Sequence, residues 1–126
     1  MKRIAVTVLL FLVIAVSTVL AAAVKPLSVK EARTLIDKTP TLYILDVRSA
    51  DEYRQIRMKN SVLIPINELE RRLNEVPKNR PVLVLCAVGA RSRSAADFLA
   101  GHGYSEVYHL DNGIFAWARA GMPVEK

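Results

Sequence analysis

The residue with the most reactive side chain in this sequence stands alone: Cys86 is the one cysteine in 126 residues. It ends the apolar run Val82-Leu83-Val84-Leu85 and opens the stretch Ala87-Val88-Gly89-Ala90-Arg91-Ser92. A lone cysteine forms no intramolecular disulfide, which leaves two readings, a buried small hydrophobe or a nucleophile. The flanking residues favour the nucleophile. The run before Cys86 has strand character, and Ser92 begins a helix with Ala95, Ala96, Phe98 and Leu99 on its apolar face. A cysteine at the carboxyl end of a parallel strand lies where open α/β sheets bind ligands. Loop amides and a helix N-terminus stabilise negative charge there. Arg91 adds a full positive charge, and such surroundings make a thiolate available. Gly89 permits the dihedrals of a tightly curled loop.

The elements that must position this loop are legible on both sides of it. Ser28-Val-Lys-Glu31 is a capping box opening a helix to about Asp37, which Thr39 and Pro40 break. Leu42–Val47 is an apolar run without polar alternation before Asp46, the pattern of a strand covered on both faces. Ser49-Ala-Asp-Glu52 is a second capping box, for a short helix through about Gln55. Val62–Ile64 reads as a short strand stopped by Pro65, and Asn67–Asn74 as a helix with Leu69 and Leu73 on one face. After the Cys86 loop and its helix, Val107–Leu110 predicts a strand, Asp111-Asn-Gly113 a turn and Ile114–Ala120 the last helix. Strands alternating with helices indicate an α/β layer fold around a mostly parallel sheet.

The stretch Cys86-x-x-Gly89-x-Arg91-Ser92 after an apolar strand resembles the active-site loop of rhodanese domains. Other landmarks match in order: Leu45-Asp46-Val47-Arg48 with Glu52-Tyr53, Ile64-Pro65, Gly103-Tyr104, Val107-Tyr108, and Leu110 through Asn112-Gly113-Ile114. Ala116-Trp117 and Gly121-Met122-Pro123-Val124 match the usual ending, so the resemblance runs from about Lys25 to Glu125. One stretch departs from it. Ile56-Arg57-Met58 and Asn60-Ser61 stand where many members carry Gly-His-Ile and Gly-Ala. The resemblance implies a central, mostly parallel five-stranded sheet with helices on both faces, over residues 24–126. It also implies a thiosulfate sulfurtransferase. A Cys86 persulfide would be held by the amides from Ala87 to Arg91 and Ser92, with Arg91 offsetting the anion's charge. Asp46, Arg48 and Glu52 are supporting residues in this reading. Their structural role would be an Arg48–Glu52 pair across the strand-to-helix turn, with Asp46 fixing a loop. Phosphatases and arsenate reductases of this fold carry one more residue between cysteine and arginine. Four residues here, with Leu85 in place of their histidine, favour sulfur transfer. A persulfide carrier without turnover is the alternative from a different class.

Composition narrows the setting. Residues 4–24 are apolar apart from Thr7, Ser17 and Thr18, follow Lys2 and Arg3, and end in Ala21-Ala22-Ala23. That is the pattern of a secretory signal peptide over residues 1–23, or of an uncleaved membrane anchor. Either places the domain outside the cytoplasm, most simply in a periplasm, with the membrane touched only through this segment. Without Lys2 and Arg3 the net charge of +6 falls to about +4, with scattered basic residues and no aromatic platform. This does not suggest nucleic acid, and a mild positive field favours small anions. The expected partners are a thiosulfate-like anion and a thiol or cyanide acceptor, with a monomer favoured. No cofactor or metal motif is present. His102 and His109 lack a partner at ligand or triad spacing, Arg93 reads as a surface residue, and Trp117 as a core anchor. Glu68, Glu70, Arg71, Arg72 and Glu75 read as a solvated helix face.

Overall fold

A computed structural model describes residues 23–126, so residues 1–22 of the segment read as a signal peptide or anchor lie outside the described residues. The chain runs β1 (Lys25–Leu27), α1 (Val29–Lys38), β2 (Tyr43–Asp46), α2 (Ala50–Gln55), β3 (Ser61–Leu63) and α3 (Ile66–Leu69). It continues through a 3-10 turn (Leu73–Glu75) to β4 (Val82–Leu85), α4 (Ala90–Ala100), β5 (Val107–Leu110) and α5 (Gly113–Arg119). The five strands form one parallel sheet in the order β1-β5-β4-β2-β3.

Why the central strands are apolar throughout follows from the layers. Successive side chains of a strand point to opposite faces. On β4, Val82 and Val84 enter one core with Ala95, Ala96 and Leu99 of α4 and Leu69 of α3. Leu83 and Leu85 enter the other, with Ala32 of α1 and Ile114 and Trp117 of α5. The alternation continues one residue past the strand, placing Cys86 on the α4 face. Both capping boxes form, at Ser28–Glu31 and at Ser49–Glu52. Trp117 is buried as expected, and its Nε1 donates to the Pro123 carbonyl at 2.9 Å.

Three local expectations are corrected. β1 is a fifth strand that the sequence pattern does not reveal, since it has three residues including Lys25 and Pro26. It lies at the sheet edge, where a proline is tolerated. The helix expected over Asn67–Asn74 is broken into α3 and the 3-10 turn. The Tyr104 hydroxyl lies 3.0 Å from the Leu73 carbonyl oxygen and 2.6 Å from that of Val76, holding this segment by tertiary bonds instead. Helix α4 starts at Ala90, two residues before Ser92.

The chain leaves β2 toward β3 on one side and leaves β4 toward β5 on the other. The carboxyl ends of β2 and β4 therefore flank the switch point where ligands of open sheets bind. Asp46 ends β2, and Arg48 follows; both are buried. The Arg48–Glu52 ion pair expected from the sequence is not formed. Arg48 Nε lies 3.0 and 3.1 Å from the two carboxylate oxygens of Asp46, and Nη2 donates to Oδ2 at 2.8 Å. The same guanidinium donates to the main-chain carbonyls of Glu52, at 3.3 Å, and Ile56, at 2.6 Å. It thus fixes the C-terminal turn of α2 against the end of β2. Asp46→Ala, which leaves Arg48 buried without its counter-charge, is expected to cost about 3–5 kcal/mol. A fall in the urea midpoint at unchanged slope checks this, and a loss of the size seen at surface pairs would contradict it.

Candidate active site

The sulfur of Cys86 serves as a cap for α4. The first amides of a helix have no intrahelical acceptor, and a side chain at the N-cap usually accepts from the third one. Here the N-cap is Gly89, which has no side chain to offer. The Ser92 amide, third in the helix, donates to Cys86 Sγ at 3.2 Å, and the Gly89 amide donates at 3.1 Å. Ser92 Oγ is the third polar atom against the sulfur, at 3.5 Å, and accepts from it when Cys86 carries a proton. Ser92 is fully buried and Cys86 is 1% exposed. Of the loop amides expected to face the sulfur, these two reach Sγ itself. Ala90 and Arg91, at the first two positions of α4, carry first-turn amides without intrahelical acceptors. Ala87 is buried, while Val88 is 64% exposed at the tip of the loop.

The curl of the loop depends on its contact with the β5–α5 turn. Gly89 has φ +107°, and a Cβ there would overlap the carbonyl of Asp111. Gly113 has φ +72°, and a Cβ there would overlap the carbonyl of Ala87. The amides of Ile114 and Phe115 donate to the carbonyls of Cys86, at 2.9 Å, and Ala87, at 3.3 Å. The carbonyls of Cys86 and Ala87 therefore turn toward α5, and the amides of Gly89 and Ser92 toward the sulfur. The Asp111-Asn112-Gly113 turn, read from the sequence as a simple connection, is half of this cradle. Close backbone approach at a glycine in such a turn is the signal that points to it.

Arg91 reaches across to α2, where Nη1 and Nη2 donate to the two carboxylate oxygens of Glu52 at 2.7 and 2.9 Å. This fork, together with Ser49 at the N-cap, holds the Glu52 carboxyl down to about 2. The Glu52 carboxylate in turn raises the Arg91 pKa. The charge of Arg91 is thus largely met by Glu52, and the pair braces the start of α4 against α2. Asp46 and Arg48 lie one step behind, buried against each other.

His109 of β5 is the residue that the sequence spacing missed. Its ring is buried, and Nδ1 lies 3.3 Å from Ser92 Oγ. The same hydroxyl donates to the Gly89 carbonyl at 3.0 Å. On the other side of the ring, Nε2 lies 3.9 Å from a carboxylate oxygen of Asp111. Burial pushes the His109 pKa down, against the opposing pull of Asp111. The contact joins positions 17 apart in sequence, brought together by the pairing of β4 with β5.

A parallel α/β sheet with a buried cysteine cradled by backbone amides beyond its central strand defines a cysteine-loop protein of the rhodanese fold class. Comparison with known proteins sharpens this: the Rhodanese-like domain family model matches residues 28–120, and the chain belongs to that family. A curated protein of Allochromatium vinosum named sulfurtransferase is 36% identical over 86 residues, covering 68% of this chain and 80% of that protein. Thiosulfate sulfurtransferase GlpE of Vibrio cholerae is 31% identical over 83 residues, covering 66% of this chain and 78% of that protein. Among solved structures, a rhodanese-related protein of Thermoplasma volcanium superposes with a TM-score of 0.73 at 30% identity. That match covers 80% of this chain and 97% of the other.

Two outcomes follow from this geometry. A carboxyl held below its ordinary 4.5 stabilises the fold above that pH and loses the contribution as pH falls through about 2. Glu52→Gln is therefore expected to lower stability by about 1 kcal/mol at neutral pH, allowing for partial exposure of the pair. The gap to the parent closes as acid titrates the parent from pH 4.5 toward 2, and parallel denaturation curves at several pH values measure it. Gly113→Ala, where no Cβ fits, is expected to cost about 1–3 kcal/mol and to raise hydrogen exchange at the Gly89 and Ser92 amides. Exchange unchanged at those amides would contradict the shared cradle.

Proposed function

We propose that this chain is a thiosulfate sulfurtransferase that carries sulfur as a persulfide on Cys86. The observation that carries the reading is the pair of amides, from Gly89 and Ser92, directed at a cysteine sulfur at the switch point of the sheet. A tight loop of this size suits one sulfur atom. Cys86 as thiolate attacks the outer sulfur of thiosulfate. A new S–S bond forms at Cys86, the S–S bond of thiosulfate breaks, and sulfite leaves with its electron pair. The terminal sulfur of the persulfide is held by the remaining loop amides, including those of Ala90 and Arg91. Cyanide or a thiol then attacks that sulfur, and the electron pair of the breaking bond returns to Cys86 as thiolate. Arg91 keeps the first turn of α4 in place through Glu52 and contributes positive charge beside an incoming anion. Val88 and Ala87 border the entry and bear on which acceptors fit. Names of relatives agree with this chemistry, since two of them are called sulfurtransferases. Lys2, Arg3 and the apolar residues behind them support a domain exported to the periplasm.

Thiocyanate formation from thiosulfate and cyanide tests the assignment. Parallel lines in double-reciprocal plots, the mark of a covalent intermediate, are expected for the parent, with no turnover in Cys86→Ser. A folded, reduced parent that forms no thiocyanate overturns the thiosulfate reading.

A further inference from the structure

His109 is a buried titratable group beside Ser92 that the sulfur-transfer steps leave unused. A thiol that is 1% exposed needs somewhere to place its proton before it attacks, and the fully buried Ser92 lies between it and the ring of His109. We infer that His109 is a positioning residue for Cys86, receiving the thiol proton through the Ser92 hydroxyl and so holding the sulfur as a thiolate. This rests on the reading of Cys86 as the nucleophile. In the transfer the Sγ–H bond breaks and that proton bonds to Ser92 Oγ. The original hydroxyl proton, which lies toward the Gly89 carbonyl at 3.0 Å, swings onto the 3.3 Å line to His109 Nδ1 and bonds there. Two protons shift, no electrons leave the site, and the net charge is unchanged.

Burial favours the neutral ring before the exchange, and the Asp111 carboxylate and the new thiolate oppose that burial after it. Before it, the neutral ring can accept at Nδ1, because burial disfavours its charged form. After it, Nδ1–H donates to Ser92 Oγ, and the hydroxyl proton is free to face the thiolate. The sulfur then has three donors, the amides of Gly89 and Ser92 and the Ser92 hydroxyl. The other ring nitrogen, Nε2, faces Asp111 at 3.9 Å, where a carboxylate favours the imidazolium. From α4 the ring feels Asp97 and Arg93, whose opposite signs offset each other. The paired strands place Val84 and Pro26 opposite His109, so neither adds a charge.

Two measurements on the protein, neither needing a sulfur donor, test the coupling. The first is the rate of Cys86 alkylation by iodoacetamide against pH, in the parent and in His109→Asn, which keeps a hydrogen-bonding amide but binds no proton. Below neutrality the rate in His109→Asn is expected to fall about tenfold, the equivalent of one pH unit of lost thiolate. The second is the titration of the His109 ring nitrogens by NMR in the parent and in Cys86→Ala. Linkage is reciprocal, so the ring is expected to lose its proton at a pH about one unit lower without the thiolate. A folded His109→Asn with the parent's pH–rate profile, or a ring titration unmoved by Cys86→Ala, overturns the inference. Should His109→Asn not fold, the ring titration decides alone. Coupling in a protein that takes no sulfur from thiosulfate would overturn the proposed function and leave this inference standing.

Discussion

The structure turns on a sulfur atom standing in for a capping side chain. Helix α4 begins at a glycine that cannot cap it, and the amide that a cap would satisfy donates to Cys86 Sγ instead. Helix stability and site chemistry are therefore the same contact. An acceptor is required at that point, and a negatively charged acceptor satisfies it better than a neutral one.

Everything around that contact serves to hold it. The sheet brings the end of β4 to the point where connections diverge, with the end of β2 beside it. Alternation along β4 decides that Cys86 faces α4 and not α1 and α5. Two glycines permit the loop and the Asp111–Gly113 turn to meet backbone to backbone. Two arginines divide the bracing. Arg48 is buried with Asp46 and fixes α2 from within, while Arg91 forks onto Glu52 at the surface and ties α4 to α2.

How much of this the sequence discloses depends on the range of each interaction. Local signals are legible: both capping boxes and the buried central strands stand where composition and spacing put them. Partners decided by tertiary packing are not. Arg48 is four residues before Glu52, so spacing alone suggests that pair, yet burial at the end of β2 gives Arg48 to Asp46 and frees Glu52 for Arg91, 39 residues away. Edge strand β1 is too short and too polar to show a pattern, and it exists because β5 offers an open edge. His109 shows no triad spacing to Cys86 because its link runs through Ser92 and across two strands. The broken helix after Pro65 reflects Tyr104, a residue more than 25 positions further on.

Whether this cradled cysteine accepts sulfur decides the proposed function. The mass of the reduced protein after exposure to thiosulfate and removal of excess reagent, with the modified peptide then located, answers this. The mass of one added sulfur is expected on the peptide bearing Cys86, lost again on treatment with cyanide. An unchanged mass in a folded protein whose thiol is free would contradict the proposed function.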